Sequence, residues 1–585
     1  MSTETTTVGA LVARFLEACG VRAAFGVISI HNMPILDAIH TRGAIRFVSA
    51  RGEAGACNMA DAYSRIMRSE ETGSLGVCIT STGTGAGNAA GALVEALTAG
   101  TPLLHLTGQI DSDYIDQDLG FIHEATHQLA MLQAVGKAAF RIRNPHSALA
   151  TLREAVRIAH TAPCGPVSIE IPIDVQSMLM PLPDDITPYL IANNSHLTVT
   201  SSPNFINLVG KLKTAKKPLL WLGGGARGAG AAVRRLVELG WGVVTSVQGR
   251  GVLDEDHAAN LGAFNLQKAS AALYAQCDAM LVVGSRLRSN ETMKYTLALP
   301  ANIYRIDANP LAQNRAYESE VFVCADATAA LTALADALEQ AAQAGAAQMD
   351  AAWQSQVQAA RSAAEQQVDD GLGAYVQLKN RLNAAVATHL GGHCTWVRDI
   401  TLSNTMWGNR SLVLRHPRAG IHALGGGIGQ GLAMGVGAAV AAERLRHQFT
   451  ENNGNVSVIT SYIATKTIVL SGDGGFMLNV GELACAVQER ADMLVIVMND
   501  GGYGVIKNIQ DADYGARHCY VDLHTPNFAQ LCASMGCAHV HLRDPADCDA
   551  LLAQALAHST PVVLEVDMQA WGPFAVKFAG PARKH

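Results

Sequence analysis

The feature that most constrains this 585-residue chain is a repeated alternation of short apolar runs with helix-length segments. Runs such as "LGVCIT" (75–80), "PLLHLT" (102–107), "AMLVVG" (279–284) and "TIVLSG" (467–472) each lead into a glycine-containing or polar turn. Strands that alternate with helices lie parallel, in sheets covered by helices on both faces. The sequence therefore predicts an α/β protein built from doubly wound parallel sheets.

The apolar runs fall into three groups, which is expected because 585 residues exceed what one hydrophobic core supports. A linker with Pro, Asn and Ser around 181–204 separates the first group from the second. An Ala- and Gln-rich segment at 328–372, interpreted as one helix plus a connector, precedes the third. We expect domains at 1–182, 200–345 and 373–570, followed by a tail at 571–585.

Composition excludes several classes of protein. The net charge of −7 argues against nucleic acid or an acidic membrane surface as a partner. The twelve cysteines form no CxxC pair, which is typical of reduced thiols in a cytoplasmic protein. The N-terminus lacks the pattern of a signal peptide, and no uninterrupted apolar stretch reaches the length of about 18 residues expected of a membrane span.

Two acid-bearing turns follow neighbouring strands of the third group. Asp473 lies in "SGDGGF" after "TIVL", and Asp500 follows "MLVIVMN". Ligands bind at the carboxyl ends of parallel strands, so the two carboxylates are expected to meet there around a hard cation that prefers oxygen ligands. The glycines and the helix expected after Gly475 would offer backbone N–H groups to a phosphate. The alternative is two unrelated turns, since Asp and Gly are ordinary turn residues.

The spacing of these turns resembles the thiamin diphosphate (ThDP) motif of ThDP-dependent enzymes. The resemblance implies that Asp473 and Asp500 bind Mg²⁺, although the family usually has Asn at the second position. It also implies a third metal ligand, the backbone carbonyl of Gly502. The other cofactor-binding positions that it implies in this region are Gly472, Gly474, Gly475, Tyr503 and Gly504.

The first domain carries a second part of the resemblance, in "RGEAGACNMADAYSR". In the family a Glu at this place relays a proton to the aminopyrimidine of the cofactor, and Glu53 matches it. Gly52 is a departure, because relatives often have His there. Without the family, Glu53 would be an acid favoured by a helix N-terminus. The resemblance further places Gly83 beside the pyrimidine and makes Ile428, in "GGGIG", the apolar wedge between the two cofactor rings.

The substrate end is less specific. His31 lies in "FGVISIHNMPIL", where benzaldehyde lyase and its relatives have a His that transfers protons near the substrate. His123 and Glu124 stand in a loop where the family usually has Gln or Gln-Glu. Both histidines titrate in a useful pH range. The alternative for each is an ordinary polar loop residue.

The middle group contains Gly223, Gly225 and Gly228 after a strand, which satisfies the dinucleotide pattern. The pattern is weak here, because no acid stands near the end of the next strand, "GWGVVTSVQG". In this family the middle domain is often an emptied nucleotide fold, and some members hold FAD or ADP there. FAD is therefore an alternative ligand that the sequence does not favour.

Over its whole length the chain resembles the decarboxylase and acetolactate synthase-like ThDP enzymes, with pyrimidine, middle and diphosphate domains in that order. The resemblance implies a ThDP- and Mg²⁺-dependent lyase or carboligase that acts on 2-oxo acids or 2-hydroxy ketones through a C2 carbanion and an enamine. It also implies a homodimer or homotetramer with active sites at the dimer interface. Alternatives are a 2-hydroxyacyl-CoA or benzaldehyde lyase-type enzyme, a nucleotide-dependent oxidoreductase, and a non-catalytic relative, against which the retained acids argue.

Overall fold

The computed structural model describes residues 4–67, 75–189, 199–345, 349–451 and 466–580. Three parallel sheets account for most of the strands, which confirms the predicted fold class. The sheets lie within the three predicted domains, whose bounds stay predictions. The first sheet contains β2 (Ala23–Gly26), β3 (Arg46–Ser49), β4 (Gly76–Thr80), β5 (Leu103–Gln109), β6 (Ala138–Arg141) and β7 (Pro166–Pro172). A separate antiparallel pair joins β1 (Thr5–Thr7) to β8 (Leu179–Pro181).

The middle sheet has five strands in the order β10-β9-β11-β12-β13. Its strands are β9 (Pro218–Leu222), β10 (Gly242–Thr245), β11 (Ala279–Val283), β12 (Ile303–Asp307) and β13 (Val321–Cys324). The third sheet contains β14 (Cys394–Arg398), β15 (Gly420–His422), β16 (Lys466–Gly472), β17 (Met493–Asn499), β18 (Ala538–Leu542) and β19 (Val562–Asp567).

The first and third sheets share one topology. Their orders are β3-β2-β4-β5-β7-β6 and β15-β14-β16-β17-β19-β18, so the first and third strands of each sheet are neighbours at its centre. At that point the chain leaves the sheet in opposite directions, and a crevice opens at the carboxyl ends of the strands. Each of these two sheets therefore offers one position for a ligand.

Helices cover the sheets, and their apolar faces form the cores. In the first domain they are Val8–Ala18, Met33–Arg42, Glu53–Met67, Thr84–Ala99, Gln128–Val135, Pro145–His160 and Ile173–Ser177. In the second they are Pro203–Leu212, Gly230–Glu238, Lys268–Tyr274 and Ala327–Gln343. The remaining helices are Trp353–Leu372, Tyr375–Leu390, Gly431–Glu451, Asp473–Leu478, Gly481–Gln488, Gly504–Asp513, Phe528–Ser534, Cys548–Ala557 and Met568–Trp571.

The segment 328–372 differs from its prediction of one helix plus a connector. Two helices occupy it, because Trp353–Leu372 is itself helical and buries Trp353 and Val357 against the middle sheet. Low β propensity identified the segment as helical, but composition gave no sign of how many helices it forms.

The first and third domains share a core. The helix Glu53–Met67 packs on the helix Gly431–Glu451, and Cys57, Met59 and Val436 are fully buried between the two domains. A Cβ on Gly437 would lie 2.1 Å from the backbone oxygen of Met59, so only glycine permits this approach. The two domains that the resemblance assigns to the cofactor are thus held against each other within one chain.

Within the described ranges, no helix is both long enough and apolar enough to cross a membrane. The twelve cysteines all lie in the described ranges, and none of them forms a disulfide.

Candidate active site

Asp473 and Asp500 leave the third sheet side by side. Strands β16 and β17 are parallel with Gly472 opposite Met498, so the residues that follow them emerge at the same edge. Asp473 is fully buried, and neither of its carboxylate oxygens has a hydrogen-bond partner. Burial, together with the nearby Asp500 carboxylate, raises the pKa of Asp473 to about 7. Burial also raises the pKa of Asp500.

These residues fit a divalent cation. Two close carboxylates repel each other unless a proton or a cation lies between them, and the unpartnered oxygens of Asp473 are the hard ligands that Mg²⁺ prefers. No group of three or more His, Cys, Asp or Glu side chains in the described part of the chain forms a metal site, so further ligands here would be backbone oxygens or water. The turn with Gly502 is fixed by a hydrogen bond from the Tyr503 N–H to the Val521 oxygen, at 2.8 Å.

The glycines of this region are required by close contacts. A Cβ on Gly504 would lie 2.1 Å from Oδ2 of Asp500, and one on Gly474 would lie 2.7 Å from the Tyr503 ring. A Cβ on Gly472 would lie 2.9 Å from Oγ1 of Thr401. The side chain of Tyr503 therefore packs on the turn that carries Asp473.

The helix in this region starts earlier than predicted. It was expected after Gly475, but it runs Asp473–Leu478, so Gly474 and Gly475 lie in its first turn. The stretch to Gln488 is two helices, and the break falls at Asn479, whose amide donates to the Gly429 oxygen at 2.7 Å. This long-range hydrogen bond has no local signal in the sequence.

Ile428 lies on a loop beside the same turn. Its side chain is 38% exposed, which is unusual for an Ile between two buried segments and leaves its surface available to a ligand. The loop ends at Gly429, whose N–H donates to both carboxylate oxygens of Asp399 at 3.1 Å. Asp399 also accepts from Ser471 at 3.2 Å, and burial raises the pKa of Asp399 to about 6.

Glu53 opens the helix Glu53–Met67 just after β3, as predicted. Its Oε2 accepts a hydrogen bond from the Asn88 amide at 3.1 Å. A Cβ on Gly85 would lie 3.0 Å from its Oε1, so the carboxylate stands at the N-terminal turn of the helix Thr84–Ala99. A carboxylate held by one amide donor retains free lone pairs for a ligand N–H group.

Gly83 lies in the same neighbourhood. It has φ +58°, and a Cβ there would lie 2.3 Å from the His123 backbone oxygen, so it must be glycine. The Gly83 N–H donates to Gln128 at 2.7 Å, and the Gln128 amide donates in turn to Glu170 at 2.9 Å. Gly83 therefore packs against the loop that carries His123, and it lies directly before the helix Thr84–Ala99, whose first turn contacts Glu53.

His31 and His123 form a pair, with ring centroids 5.0 Å apart and planes at 71°. His31 is 3% exposed, and its Nδ1 has no hydrogen-bond partner. Burial, and secondarily the positive charge of a protonated His123, lower the pKa of His31, while Asp111 opposes this in part. His31 is therefore a neutral, unpartnered proton acceptor near pH 7. His123 is exposed and has φ +68°.

The predicted residues thus form two groups. Glu53, Gly83, His31 and His123 cluster at the first sheet, and the metal and diphosphate residues with Ile428 cluster at the third. Among the described residues, no hydrogen bond or close contact joins Glu53 to Asp473 or Asp500. Contact between the domains near Glu53 instead runs through Glu482, which accepts from the backbone N–H groups preceding Glu53 at 3.0–3.1 Å.

Sequence reasoning missed the residues that hold these groups in place. Gln128, Glu482, Asp399 and Glu95 are buried polar residues and Asn88 is an exposed one, and each is bonded to a site residue or loop. A polar residue in a predicted helix or strand is usually solvent-exposed. The only local signal is that Asn88 follows Gly83 by five positions, whereas Asp399 lies far in sequence from every predicted site residue.

A cavity of about 190 Å³ adjoins the dinucleotide-like turn of the middle domain. Gly223 and Gly225 line it, together with Arg286, Arg288 and Asp307. Asp307 ends β12 and not the strand after the glycine turn, which is why sequence inspection found no acid at the expected place.

Comparison with known proteins identifies the family of this site. The model of the thiamine pyrophosphate enzyme N-terminal TPP binding domain matches residues 6–133, that of the central domain 207–334, and that of the C-terminal TPP binding domain 403–566. Thiamine pyrophosphate is ThDP. The chain belongs to the thiamine pyrophosphate enzymes, of the acetolactate synthase and decarboxylase superfamily, which confirms the predicted enzyme class and ThDP as a cofactor.

Named relatives align over nearly the whole chain. A probable 2-ketoarginine decarboxylase of Pseudomonas aeruginosa is 30% identical over 557 residues, which cover 94% of this chain and 91% of that protein. The large subunit of acetolactate synthase isozyme 2 of Escherichia coli is 26% identical, covering 95% and 94%. A probable acetolactate synthase 2 of Oryza sativa, chloroplastic, is 27% identical, covering 95% and 82%.

Proposed function

We propose that this protein is a ThDP- and Mg²⁺-dependent decarboxylase or carboligase that cleaves or forms the carbon–carbon bond next to the carbonyl of a 2-oxo acid or 2-hydroxy ketone. The observation that carries the proposal is the buried, unpartnered carboxylate of Asp473 beside Asp500. A buried charge without a partner is costly, so this arrangement is explained by a bound cation. When bound, ThDP supplies an electron sink for the carbon–carbon bond step.

On the third domain, Asp473, Asp500 and the Gly502 carbonyl would hold Mg²⁺. The cation would in turn bind the diphosphate, whose oxygens can approach the backbone at Gly474 and Gly475. Asp500 replaces the usual Asn and adds one negative charge, which strengthens the attraction for a hard cation. Ile428 would contact the face of the cofactor.

On the first domain, Glu53 would hold and return a proton at the aminopyrimidine nitrogen. Support comes from its position, since Asn88 fixes one carboxylate oxygen and leaves the other for a ligand. Gly83 and Gly85 would leave room for the ring, because a side chain at either position would meet His123 or Glu53.

At the substrate end, neutral His31 would accept or return a proton, and His123 would close the site above it. Because burial lowers the pKa of His31, its imidazole is unprotonated at neutral pH and is suited to act as a base. A base at this place serves an aldehyde- or ketone-forming step as well as decarboxylation. The names of the relatives favour a 2-oxo acid, and the 2-hydroxyacyl-CoA and benzaldehyde lyase-type reactions are the alternatives.

We also propose that the active unit is at least a dimer. Glu53 and Asp473 must serve opposite ends of one cofactor, yet no described contact joins them within the chain. A second copy would complete each site at the interface, as a homodimer or a homotetramer. The domain bounds given above and a cytoplasmic location are part of the same proposal.

FAD is not part of the proposal. The middle-domain cavity of about 190 Å³ is smaller than the roughly 300–1,000 Å³ of typical ligand pockets. The family membership also makes a nucleotide-dependent oxidoreductase unnecessary as an explanation of the glycine turn.

The test combines cofactor removal, one substitution and a substrate panel. Apoprotein prepared with EDTA should be inactive and should recover only with both ThDP and Mg²⁺. With cofactors restored, consumption of 2-oxo acids and 2-hydroxy ketones is followed alongside product aldehydes and CO₂. Activity that is indifferent to ThDP and Mg²⁺ would overturn the proposal.

The substitution Glu53→Gln should retain ThDP, measured by calorimetric titration, while turnover falls by at least 100-fold, the lower end of general acid–base contributions. Asn88→Ala is the matched variant, because it removes the donor to Glu53 and keeps the carboxylate; a smaller loss is expected. If Glu53→Gln keeps most of its activity, Glu53 is not the relay.

A further inference from the structure

A buried carboxylate of the first domain holds the backbone of the loop that carries Ile428. Glu95 is 1% exposed, and its Oε1 accepts a hydrogen bond from the Leu424 N–H at 2.8 Å. Its second oxygen accepts from the Gly425 N–H. A Cβ on Gly425 would lie 2.8 Å from that oxygen, so glycine is needed for the contact. One carboxylate thus fixes two consecutive peptides of another domain.

Two arginines add to the contacts that Glu95 makes with Leu424 and Gly425, and together these contacts anchor the start of the loop. Arg65 donates to Glu95 at 2.9 Å and to the His422 oxygen at 2.8 Å. Arg288 of the middle domain donates to the Leu424 oxygen at 2.9 Å. The Leu424 residue is therefore held at its N–H by the first domain and at its carbonyl by the second. All three domains meet at this point of the chain.

The other end of the loop is anchored within the third domain, where Asp399 and Asn479 bind Gly429. Only Gly426, Gly427 and Ile428 lie between the two anchors. Gly426 has φ +86°, and glycines have wide conformational freedom. Nothing in this short run favours one position for Ile428, so its place depends on the two anchors.

We infer that Glu95 is a positioning residue, which sets the place of Ile428 at the cofactor from a different domain. The inference rests on the function proposed above, because it concerns the same cofactor site. Glu95 lies on the helix Thr84–Ala99, whose first turn contacts Glu53. The helix therefore links the proton relay to the loop of Ile428.

The substitution Glu95→Gln tests this. A glutamine has one acceptor oxygen, and its amide group would face a backbone N–H, so one of the two loop contacts is lost. Arg65 keeps a partner, since Asp61 pairs with it independently. Binding weakens in proportion to the fraction of molecules with the loop in place, and we expect ThDP affinity to fall on the order of tenfold.

Two measurements test the variant, and neither of them depends on enzyme activity. Amide hydrogen exchange of a peptide covering 423–430 in the apoprotein should become faster in the variant. Calorimetric titration with ThDP in excess Mg²⁺ gives the affinity. A variant with wild-type exchange and wild-type affinity overturns the inference.

Glu255→Gln is the matched control. Glu255 is also buried, pairs with an arginine (Arg250, at 2.7 and 2.8 Å), and accepts a backbone N–H of the third domain, from Leu414 at 2.7 Å. That segment is not the loop of Ile428, so ThDP affinity should stay within about twofold of wild type. An equal loss in both variants would mean that any buried interdomain contact matters, and it would overturn the specific role of Glu95.

Arg288→Met keeps the test decisive if Glu95→Gln does not fold. It removes the contact on the other side of the Leu424 peptide, and it should also speed exchange at 423–430 and weaken ThDP binding, by a smaller factor. Unchanged exchange and affinity in Arg288→Met would then count against the anchor. Failure of wild-type protein to bind ThDP would instead refute the proposed function, and the two failures are distinguishable in one titration.

Discussion

Asp473 should destabilise the folded protein when no metal is bound. Its pKa is raised from 3.8 to about 7 by burial and by the Asp500 carboxylate. A shift of that size corresponds to about 4 kcal/mol at pH values above 7. Replacing Asp473 by Asn removes the charge but leaves an unpartnered amide, which costs about 2 kcal/mol. The apo variant Asp473→Asn should therefore be more stable than the apo wild type at pH 8 by about 2 kcal/mol.

The direction in which the free energy of unfolding changes with pH follows from the raised pKa of Asp473. Below about pH 4 the carboxyl group is protonated in both folded and unfolded states, and its charge costs nothing. Between about 4 and 7 the folded state holds a proton that the unfolded state has lost, so the free energy of unfolding falls as pH rises. The wild-type apoprotein should show this loss up to about pH 7, and Asp473→Asn should lack this contribution.

The assay is thermal unfolding in EDTA at a series of pH values. A gain of about 2 kcal/mol in the free energy of unfolding should raise the Tm of a domain of about 200 residues by about 5 °C, so Asp473→Asn should unfold at the higher temperature at pH 8. Mg²⁺ with ThDP at 100 times the dissociation constant should stabilise the wild type by about 2.7 kcal/mol and leave Asp473→Asn unchanged. The two proteins should therefore exchange their order of stability when cofactors are added.

Asp399→Asn is the matched control, because Asp399 is equally buried in the same domain but is satisfied. It accepts from Ile400, Gly429 and Ser471, so an amide there would face donors at a cost of about 1–3 kcal/mol. Its pKa, raised from 3.8 to about 6, corresponds to about 3 kcal/mol at pH 8, which offsets that cost, so Asp399→Asn should show no net gain in stability. If Asp473→Asn is no more stable than wild type at pH 8 while Asp399→Asn behaves as expected, Asp473 is not an unpaired charge. The argument for a cation at this site would then fail.

Three further substitutions follow from close contacts. Gly504→Ala should weaken Mg²⁺ binding at least tenfold in a titration at fixed ThDP, because the new Cβ would lie 2.1 Å from Oδ2 of Asp500. Gly83→Ala should cost about 2 kcal/mol in urea unfolding and displace the loop of His123, because φ is +58° and the Cβ would lie 2.3 Å from its oxygen. Arg65→Met should cost about 3–5 kcal/mol in the same assay, since it leaves two buried carboxylates without their cation. A wild-type affinity for Mg²⁺ in Gly504→Ala would contradict the first prediction. A wild-type free energy of unfolding in Gly83→Ala or in Arg65→Met would contradict the second or the third.

The parts of the fold and site that the sequence predicted are those with local signals. Alternating apolar runs were enough for the parallel sheets, and the turns after two strands were enough to pair Asp473 with Asp500. The start of the helix at Glu53 was implied by the family resemblance of the segment around it. Each of these depends on residues within one strand–turn–helix unit, where backbone geometry follows from a few positions.

The contacts that join the domains had no such signal. Glu95 meets Leu424 across 329 positions, and Glu482 meets Gly52 across 430. In sequence both glutamates look like acids on exposed helix faces, the usual location for Glu. The break at Asn479 was missed for the same reason, because the hydrogen bond that Asn479 makes there is to the distant Gly429 oxygen.

The shared topology of the first and third sheets supports the proposal that one cofactor contacts both. In each sheet the central crevice lies between its first and third strands. The first crevice is bordered by the segments of His31 and Gly83, which can receive an uncharged ring and exchange protons with it. The third is bordered by Asp399, which accepts from the N–H of Gly429 at the end of the Ile428 loop, and by Asp473, whose unpartnered carboxylate can hold a cation. A ligand with a heterocycle at one end and a diphosphate at the other is complementary to one crevice of each kind. No described contact brings Glu53 to Asp473 within the chain, and in the proposed dimer two copies related by a two-fold axis would form two complete sites.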